Sequence, residues 1–162
     1  MTELKKLMLQ KPRLTLAVAE SMTCGRVQAK IGEISGASEF FLGGMTAYTL
    51  AVKVDHLGVN RAAAKKVNCV SGEIAEQMAR GACDLFGATV GIATTGYAEP
   101  SSDENIPVPF AWWAVAIRRT PRKFEHRRGR IECPAASRVE AQTIVAEAVI
   151  AELVMWLREV RG

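Results

Sequence analysis

Short apolar runs alternate along the chain with longer stretches in which apolar residues recur at helical spacing. Most of the short runs contain β-branched residues and few charges, a pattern typical of buried strands. The strands are predicted at Leu14–Ala19, Phe40–Tyr48, Ala88–Thr94, Phe110–Ile117 and Lys123–Ile131. We expect the last two to form an antiparallel hairpin, because Pro121 in the short connection suits a turn.

Helical spacing is clearest at Ser71–Phe86, where Ser71 is the expected N-cap. The apolar residues of Thr23–Ile34 also fall on one face, and Thr23 is the expected N-cap there. Strands that alternate with helices and end in a hairpin predict an α/β fold, in which helices pack on a mixed sheet. Further helices are predicted at Thr2–Leu9, Ala51–Leu57 and Ser137–Val160.

Length and charge narrow the class of protein. The chain has 162 residues, which suits one core, so we expect a single domain over residues 1–162. The net charge is +4, and much of the basic excess lies in Arg118–Arg130. Aromatic residues do not alternate with these charges in a stacking pattern, so a solvated, charged hairpin is favoured over a nucleic-acid interface. The sequence leaves the role of this hairpin open.

Metal binding and membrane insertion find no support in the sequence. The four cysteines form no CxxC pair, and His56 and His126 stand at no metal-ligand spacing from them. Met1–Gln10 carries charges where a signal peptide needs an apolar core, and no segment is long and apolar enough to cross a membrane. We therefore expect a cytoplasmic protein with reduced thiols, without a metal or a membrane contact.

Hydroxyl-bearing and basic residues lie just beyond the predicted strands, where open α/β sheets bind their ligands. Ser21 follows the first strand at the mouth of a helix, whose free N–H groups favour an oxyanion. Neither histidine is well placed to activate this serine. Lys53 is the candidate base, because desolvation lowers the pKa of a lysine, and Tyr48 is a candidate proton relay or substrate contact.

The same residues also have ordinary structural interpretations, which the pattern alone does not exclude. Glu20 and Glu99 are expected to be surface or loop carboxylates. Helix capping, surface exposure, packing and a turn are the commoner roles of such residues and also account for Ser21, Thr23, Lys53, Tyr48 and Thr95–Gly96. Composition and spacing therefore leave both catalysis and a purely structural role open.

Several segments together resemble the CinA C-terminal family, over nearly the whole chain. Ala19–Gly25 (AESMTCG) resembles the AESCTGG stretch of that family. Phe41–Tyr48 (FLGGMTAY) and Lys53 continue the match, and Thr95–Gly96 resembles the start of a TGIAGP-like loop. Smaller matches lie at Gly36–Ser38, Leu57–Val59, Val70–Ser71, Pro107–Val108 and Trp112.

The resemblance implies a three-layer α/β sandwich and the activity of a nicotinamide-mononucleotide deamidase. Such an enzyme releases ammonia from the nicotinamide carboxamide and leaves nicotinic acid mononucleotide, by a serine–lysine mechanism without a metal or another cofactor. By position, Ser21 resembles the nucleophile, Lys53 the base and Tyr48 a further catalytic residue. The implied partners are a pyridine mononucleotide-like substrate and further copies of the chain in a homo-oligomer. The implied substrate-binding residues are Thr23, Gly25, Thr46, Ser71, Thr95 and Gly96.

The chain departs from the family pattern around the implied substrate. Met22 and Cys24 stand where the family has cysteine and glycine, and Glu99 replaces a glycine. Ala135–Ser137 stands near the position of the family's Gly-Asp-Arg, so an arginine suited to a phosphate is missing there. Arg138 follows directly. Further replacements are Leu50, Ala51 and Pro109.

Three functions stay open on this basis. The first is an amidase for nicotinamide mononucleotide. The second is an amidohydrolase for another amide, of which an unphosphorylated one is an example. The third is a non-enzymatic relative that keeps the fold and binds a ligand or a partner.

Overall fold

A mixed sheet of five strands lies at the centre of the fold. The computed structural model describes residues 2–162. The strands are β1 Leu16–Glu20, β2 Phe41–Thr46, β3 Val90–Tyr97, β4 Phe110–Thr120 and β5 Lys123–Glu132. They lie in the order β2-β1-β3-β4-β5. β1 is parallel to both of its neighbours, and the β3–β4 and β4–β5 pairs are antiparallel. The carboxyl ends of the three parallel strands therefore meet at one edge of the sheet.

Helices cover both faces of this sheet. One face is covered by α1 (Glu3–Leu9), α2 (Arg26–Gly32) and α6 (Arg138–Arg161). The other face is covered by α3 (Leu50–Leu57), α4 (Arg61–Lys66) and α5 (Gly72–Phe86). These three layers confirm the predicted α/β class with a mixed central sheet. A short 3₁₀ helix, Ala37–Glu39, precedes β2.

Large and small residues alternate along the central strands and give the two faces different cores. Successive side chains of a strand point to opposite faces of the sheet, so an alternation of large and small residues puts all large ones on one face and all small ones on the other. The face under α1, α2 and α6 buries large residues, among them Leu16, Val18, Val115 and Ile117. The face under α5 buries small residues, among them Ala17, Ala19, Ala114 and Ala116. The small residues allow α5 to approach the sheet closely.

Two glycines mark the closest contacts of α5. A Cβ atom at Gly91 of β3 would overlap the carbonyl oxygen of Ala79, and a Cβ atom at Gly81 would overlap the backbone of Leu57. Glycine in a strand commonly marks such a close approach of another backbone. Gly91 thus lets α5 pack closely on the sheet, and Gly81 lets the end of α3 pack closely on α5.

Two local predictions differ from the structure. β3 continues through Thr95–Gly96 to Tyr97, where the Thr–Gly pair predicts a turn. Gly96 instead pairs with Ala111 of β4, and the two backbones are too close for a side chain at position 96. The short helix α4 was not predicted either; its N-terminus is fixed by Asn60, whose side chain accepts a hydrogen bond from the N–H of Ala63 at 2.8 Å.

The basic residues of the β4–β5 hairpin are mostly paired with carboxylates. Arg118 binds Asp84 at 2.6 Å and Arg127 binds Glu159 at 2.5 Å, which ties the hairpin to the ends of α5 and α6. Exposed pairs of this kind add little stability, but they neutralise the local charge. The hairpin arginines that contact a carboxylate are Arg118, Arg119, Arg127, Arg128 and Arg130.

Neither a membrane-spanning helix nor a metal-type cluster occurs in the described part of the chain. No helix within residues 2–162 combines the length and the apolar composition needed to cross a bilayer. In the same range, no group of three or more histidine, cysteine, aspartate or glutamate side chains is placed to hold a metal ion. All four cysteines are free thiols.

Candidate active site

A pocket of about 490 Å³ opens at the carboxyl edge of the sheet. It lies where β1 and β3 end, the position at which open α/β sheets bind ligands. Its volume is in the range of small-molecule sites, roughly 300–1,000 Å³. The wall is built from the loop after β1, the start of α3, the segment before α5, the loop after β3 and the first turn of α6. Lining residues include Ser21, Met22, Tyr48, Lys53, Cys69, Thr95, Glu99 and Arg138.

Ser21 and Lys53 meet at the bottom of this pocket. Lys53 Nζ lies 2.9 Å from Ser21 Oγ, and it also donates to the carbonyl oxygens of Ala47 at 2.8 Å and Tyr48 at 3.1 Å. Ser21 is 7% exposed and Lys53 is 1% exposed. The hydroxyl and the amine, 32 residues apart in the chain, are therefore in hydrogen-bond contact and almost shielded from solvent.

Burial disfavours the charged form of Lys53. Burial removes water from the ammonium group and lowers the pKa of Lys53 below its ordinary value of 10.5, while a nearby Cys69 thiolate would act in the opposite direction. Within residues 2–162, no carboxylate forms a salt bridge with Lys53 to stabilise its charge. A lysine with a lowered pKa is better suited to act as a base than an exposed lysine.

Two elements fix the backbone around the serine. Ser21 follows β1, and its backbone N–H donates to the carbonyl oxygen of Thr94 on β3 at 3.0 Å. The preceding residue, Glu20, accepts from the N–H of Ala47 at 2.7 Å, just after β2. The ends of β1, β2 and β3 are thus joined at the point where Ser21 enters the pocket.

Glu20 is fully buried, so the expectation that it is a surface or loop carboxylate was wrong. Its carboxylate accepts from the backbone N–H groups of Gly25 and Val27 at 3.1 Å and of Gln28 at 2.9 Å. These are donors of the first turn of α2, which a helix leaves without intrahelical partners. Glu20 therefore caps α2 from the end of β1, and the predicted free helix N–H groups are not available to an oxyanion.

Thr23 is not the N-cap of α2, because the helix begins at Arg26 with Gly25 as its cap. Thr23 is fully buried, and its hydroxyl donates to Glu20 Oε2 at 2.5 Å and lies 2.7 Å from Thr94 Oγ1. The sequence pattern placed the helix start two residues too early, since the chain makes a turn between Ser21 and α2 before helical geometry begins.

The predicted site residues divide into two groups. Ser21, Lys53, Tyr48, Thr95 and Gly96 line the pocket together. The predicted substrate-binding residues outside its wall are Thr23, Gly25, Thr46 and Ser71.

The residues outside the wall have structural positions. Gly25 takes a φ of 92° and caps α2, a conformation that favours glycine. Thr46 is the exposed last residue of β2. The Ser71 hydroxyl accepts from the N–H of Ile74 at 3.1 Å, as the predicted N-cap of α5. None of these three residues therefore forms part of the pocket wall.

Arg138 lies at the mouth of the pocket, although the sequence position matched to the family arginine holds none. Its Nη1 donates to Glu99 Oε1 at 2.7 Å and its Nη2 to Tyr48 Oη at 2.9 Å. The start of α6 is fixed by a capping box between Ser137 and Glu140, which sets Arg138 in the first helical turn. The capping residues were the signal in the sequence that could have located this side chain.

Asn68 and Cys69 also line the pocket, and neither was predicted to do so. Both have left-handed backbone conformations, with φ values of 47° and 62°. The carbonyl oxygen of Cys69 accepts from Thr95 Oγ1 at 2.7 Å, which ties this segment to β3. Conformations of this kind in residues other than glycine often accompany functional sites.

An α/β fold with a buried serine–lysine pair in a pocket at the carboxyl edge of its sheet defines a protein with the parts of an acyl-transfer site. The chain belongs to the CinA C-terminal domain family, whose model matches residues 1–154.

Curated relatives support the family assignment. A CinA-like protein of Chlorobium limicola is 32% identical over 156 residues, which cover 96% of this chain and 36% of that protein. A CinA-like protein of a Picosynechococcus strain is 50% identical over 91 residues, which cover 56% of this chain and 22% of that protein. The chain thus spans only about a quarter to a third of the length of such relatives.

Solved structures support the fold. A competence-damaged protein (CinA) superfamily protein from Escherichia coli superposes with a TM-score of 0.83 at 24% identity, covering 94% of this chain and 86% of that one. The competence damage-inducible protein A of Klebsiella pneumoniae superposes with a TM-score of 0.84 at 24% identity, covering 96% of this chain and 93% of that one. At this level of identity the likeness concerns the architecture alone.

Proposed function

We propose that this protein is a serine–lysine amidohydrolase that releases ammonia from the carboxamide of a nicotinamide nucleotide or nucleoside. The observation that carries the proposal is the 2.9 Å contact between Lys53 Nζ and Ser21 Oγ inside an open pocket. The choice of amide follows the resemblance to nicotinamide-mononucleotide deamidases, and the pocket has room for such a ligand.

The hydrogen bonds of Lys53 suit a general base. A neutral amine has two N–H donors and one lone pair. The two donors match the carbonyl oxygens of Ala47 and Tyr48, so the lone pair is left to face the hydroxyl of Ser21. In this protonation state Ser21 donates its proton to Lys53, which is the direction that nucleophilic attack requires.

The reaction proceeds through an acyl-enzyme. Ser21 Oγ forms a bond to the carboxamide carbon while its proton passes to Lys53, giving a tetrahedral intermediate with a negative oxygen. Lys53 then returns the proton to the amide nitrogen, the C–N bond breaks and ammonia leaves. A water molecule attacks the resulting ester with Lys53 again as base, and the products are a carboxylic acid and free Ser21.

The N–H of Met22 is the candidate donor to the negative oxygen. Met22 follows Ser21 directly and lines the pocket. Within residues 2–162 its backbone N–H donates no hydrogen bond to another residue. A donor next to the nucleophile with no other partner is suited to an oxyanion, and such donors are worth about 10²–10³ in rate.

The departures from the family pattern leave the pocket open. Met22, Leu50 and Glu99 form part of its wall, and the cavity persists with all of them present. Cys24 is exposed and lies outside the wall, at a φ of 48°. This leaves room for turnover and argues against a silent relative whose pocket is filled by these side chains.

Ammonia release from nicotinamide mononucleotide and from the corresponding riboside tests the proposal. We expect turnover by the wild-type protein and a loss of about 10³-fold or more in Ser21→Ala and in Lys53→Ala, because each removes one half of the reacting pair. Ser102→Ala removes an exposed hydroxyl outside the pocket and is expected to keep full activity.

Two results would contradict the amidase. One is the absence of ammonia from both compounds at high concentrations of folded wild-type protein. The other is turnover that survives unchanged in Ser21→Ala.

A further inference from the structure

The mouth of the pocket holds a guanidinium and a carboxylate that neutralise each other. Apart from buried Lys53, the charged side chains of the pocket wall are Glu99 and Arg138. Arg138 donates through one terminal nitrogen to Glu99 at 2.7 Å and through the other to the Tyr48 hydroxyl at 2.9 Å. Both ends of the guanidinium fork are therefore engaged before a ligand arrives.

The Glu99–Arg138 pair disfavours the binding of a phosphate group at the mouth of the pocket. A phosphate monoester carries about −1.5 to −2 charges near neutral pH and binds best to a free, bidentate guanidinium. At this mouth it would compete with Glu99 for Arg138 and lie beside that carboxylate. Solvent screens attraction and repulsion alike at this half-exposed pair, but the phosphate carries up to two charges, so its repulsion by Glu99 is the larger cost.

An uncharged ligand meets no such penalty. The hydroxyl groups of a ribose donate to a carboxylate and accept from a guanidinium, so the Glu99–Arg138 pair offers both partners without being separated. Tyr48 is half exposed beside them and adds a surface on which a sugar can pack.

We propose that Glu99 is a specificity-determining residue that makes this pocket prefer an unphosphorylated carboxamide, of the nicotinamide riboside type, to the corresponding mononucleotide. The proposal rests on the amidase function only for the identity of the amide. The discrimination itself is a property of binding, so it can be measured without turnover.

The loop that carries Glu99 also provides a matched control. The loop joins β3 to β4 and is closed by paired backbone hydrogen bonds between Ser101 and Ile106, at 2.9 and 2.7 Å. Glu104 lies within this closed part, is exposed and does not line the pocket. Glu104→Gln removes the same charge from the same loop as Glu99→Gln.

Calorimetric titration of the 162-residue Ser21→Ala protein with both compounds tests the proposal while preventing turnover. We expect the riboside to bind more tightly than the mononucleotide. Adding Glu99→Gln should tighten mononucleotide binding by about tenfold or more and leave riboside binding within about twofold. Glu104→Gln should change neither by more than about twofold, and Arg138→Gln added to Glu99→Gln should abolish the gain.

Several outcomes would overturn the proposal. These are tighter binding of the mononucleotide than of the riboside before Glu99 is changed, a mononucleotide affinity that Glu99→Gln leaves unaltered or undetectable, and an equal gain from Glu104→Gln. Ammonia release is measured separately in proteins that retain Ser21. A protein that shows the predicted binding but releases no ammonia would refute the amidase and leave the role of Glu99 intact.

Discussion

Glu20 is a charged residue that the fold buries completely beside the proposed nucleophile. A buried carboxylate is costly unless its oxygens are satisfied by hydrogen bonds. Here one hydroxyl and three backbone N–H groups provide them, from Thr23, Gly25, Val27 and Gln28. Because these donors belong to the turn and the helix that follow Ser21, the carboxylate fixes the path of the chain on both sides of the serine.

Replacing this carboxylate with an amide of the same shape tests its role. Glu20→Gln exchanges an acceptor oxygen for an NH₂ group that faces other donors, and we expect the free energy of unfolding to fall by about 1–3 kcal/mol. Urea denaturation at neutral pH measures this change. Glu104→Gln, on the surface, should stay within about 0.5 kcal/mol of the wild type. Equal stability of Glu20→Gln and wild type would show that the charge is not needed there.

Some residues of the site could be predicted from the sequence and others could not. Ser21 and Lys53 stand beyond strands in segments that resemble a known family, so both could be proposed as a pair. The burial of Glu20 could not, because an acidic residue before a helix is most often exposed and its partners lie up to eight residues further along the chain. Its role depends on the turn between Ser21 and α2, which no local pattern specified.

At the scale of elements, the contact between α5 and β3 depends on the missing side chain of Gly91. We expect Gly91→Ala to lower the free energy of unfolding by about 1–3 kcal/mol, because its Cβ would overlap the backbone of Ala79 in a packed core. Gly32→Ala is the matched control, since a Cβ at Gly32 meets no atom within 4 Å. Denaturant unfolding compares the two variants. A Gly91→Ala protein as stable as Gly32→Ala would mean that α5 does not depend on this contact.

The positions of most elements follow from local patterns, whereas some of their ends do not. Short apolar runs locate β1 and β4, and the serine cap and apolar face locate α5. The extension of β3 through Thr95–Gly96 depends on pairing with β4, which comes later in the chain. Partners distant in sequence decided that boundary, and a window of neighbouring residues contains no information about them.

At the scale of the whole molecule, the pocket gathers segments from the entire chain at one edge of the sheet. The parallel strands β1, β2 and β3 end there, so residues that follow them could be expected to meet. Arg138 reaches the same edge from the last helix, after the antiparallel hairpin has crossed the sheet. Its arrival depends on the lengths of β4, β5 and the connecting loops, which set where α6 begins.

The buried Lys53 also links the proposed chemistry to the stability of the whole protein. Burial lowers its pKa in the folded state below 10.5, so the unfolded chain holds a proton at position 53 that the native protein gives up more easily. Where the unfolded state binds more protons, the free energy of unfolding rises with pH. The penalty of burying Lys53 therefore shrinks as pH increases from the lowered pKa towards 10.5 and is absent above that value.

Lys53→Met removes this titration, and the difference in stability between wild type and variant isolates it from other groups. We expect the free energy of unfolding of the wild type to rise relative to that of Lys53→Met as pH is raised within this window, by up to about 1.4 kcal/mol per pH unit. Urea unfolding of both proteins at several pH values between 7 and 10 measures the difference. Lys66→Met, which removes an exposed lysine instead, is the matched control. A flat difference for Lys53→Met would mean that Lys53 titrates alike in the folded and unfolded states, and it would remove the neutral amine on which the proposed base depends.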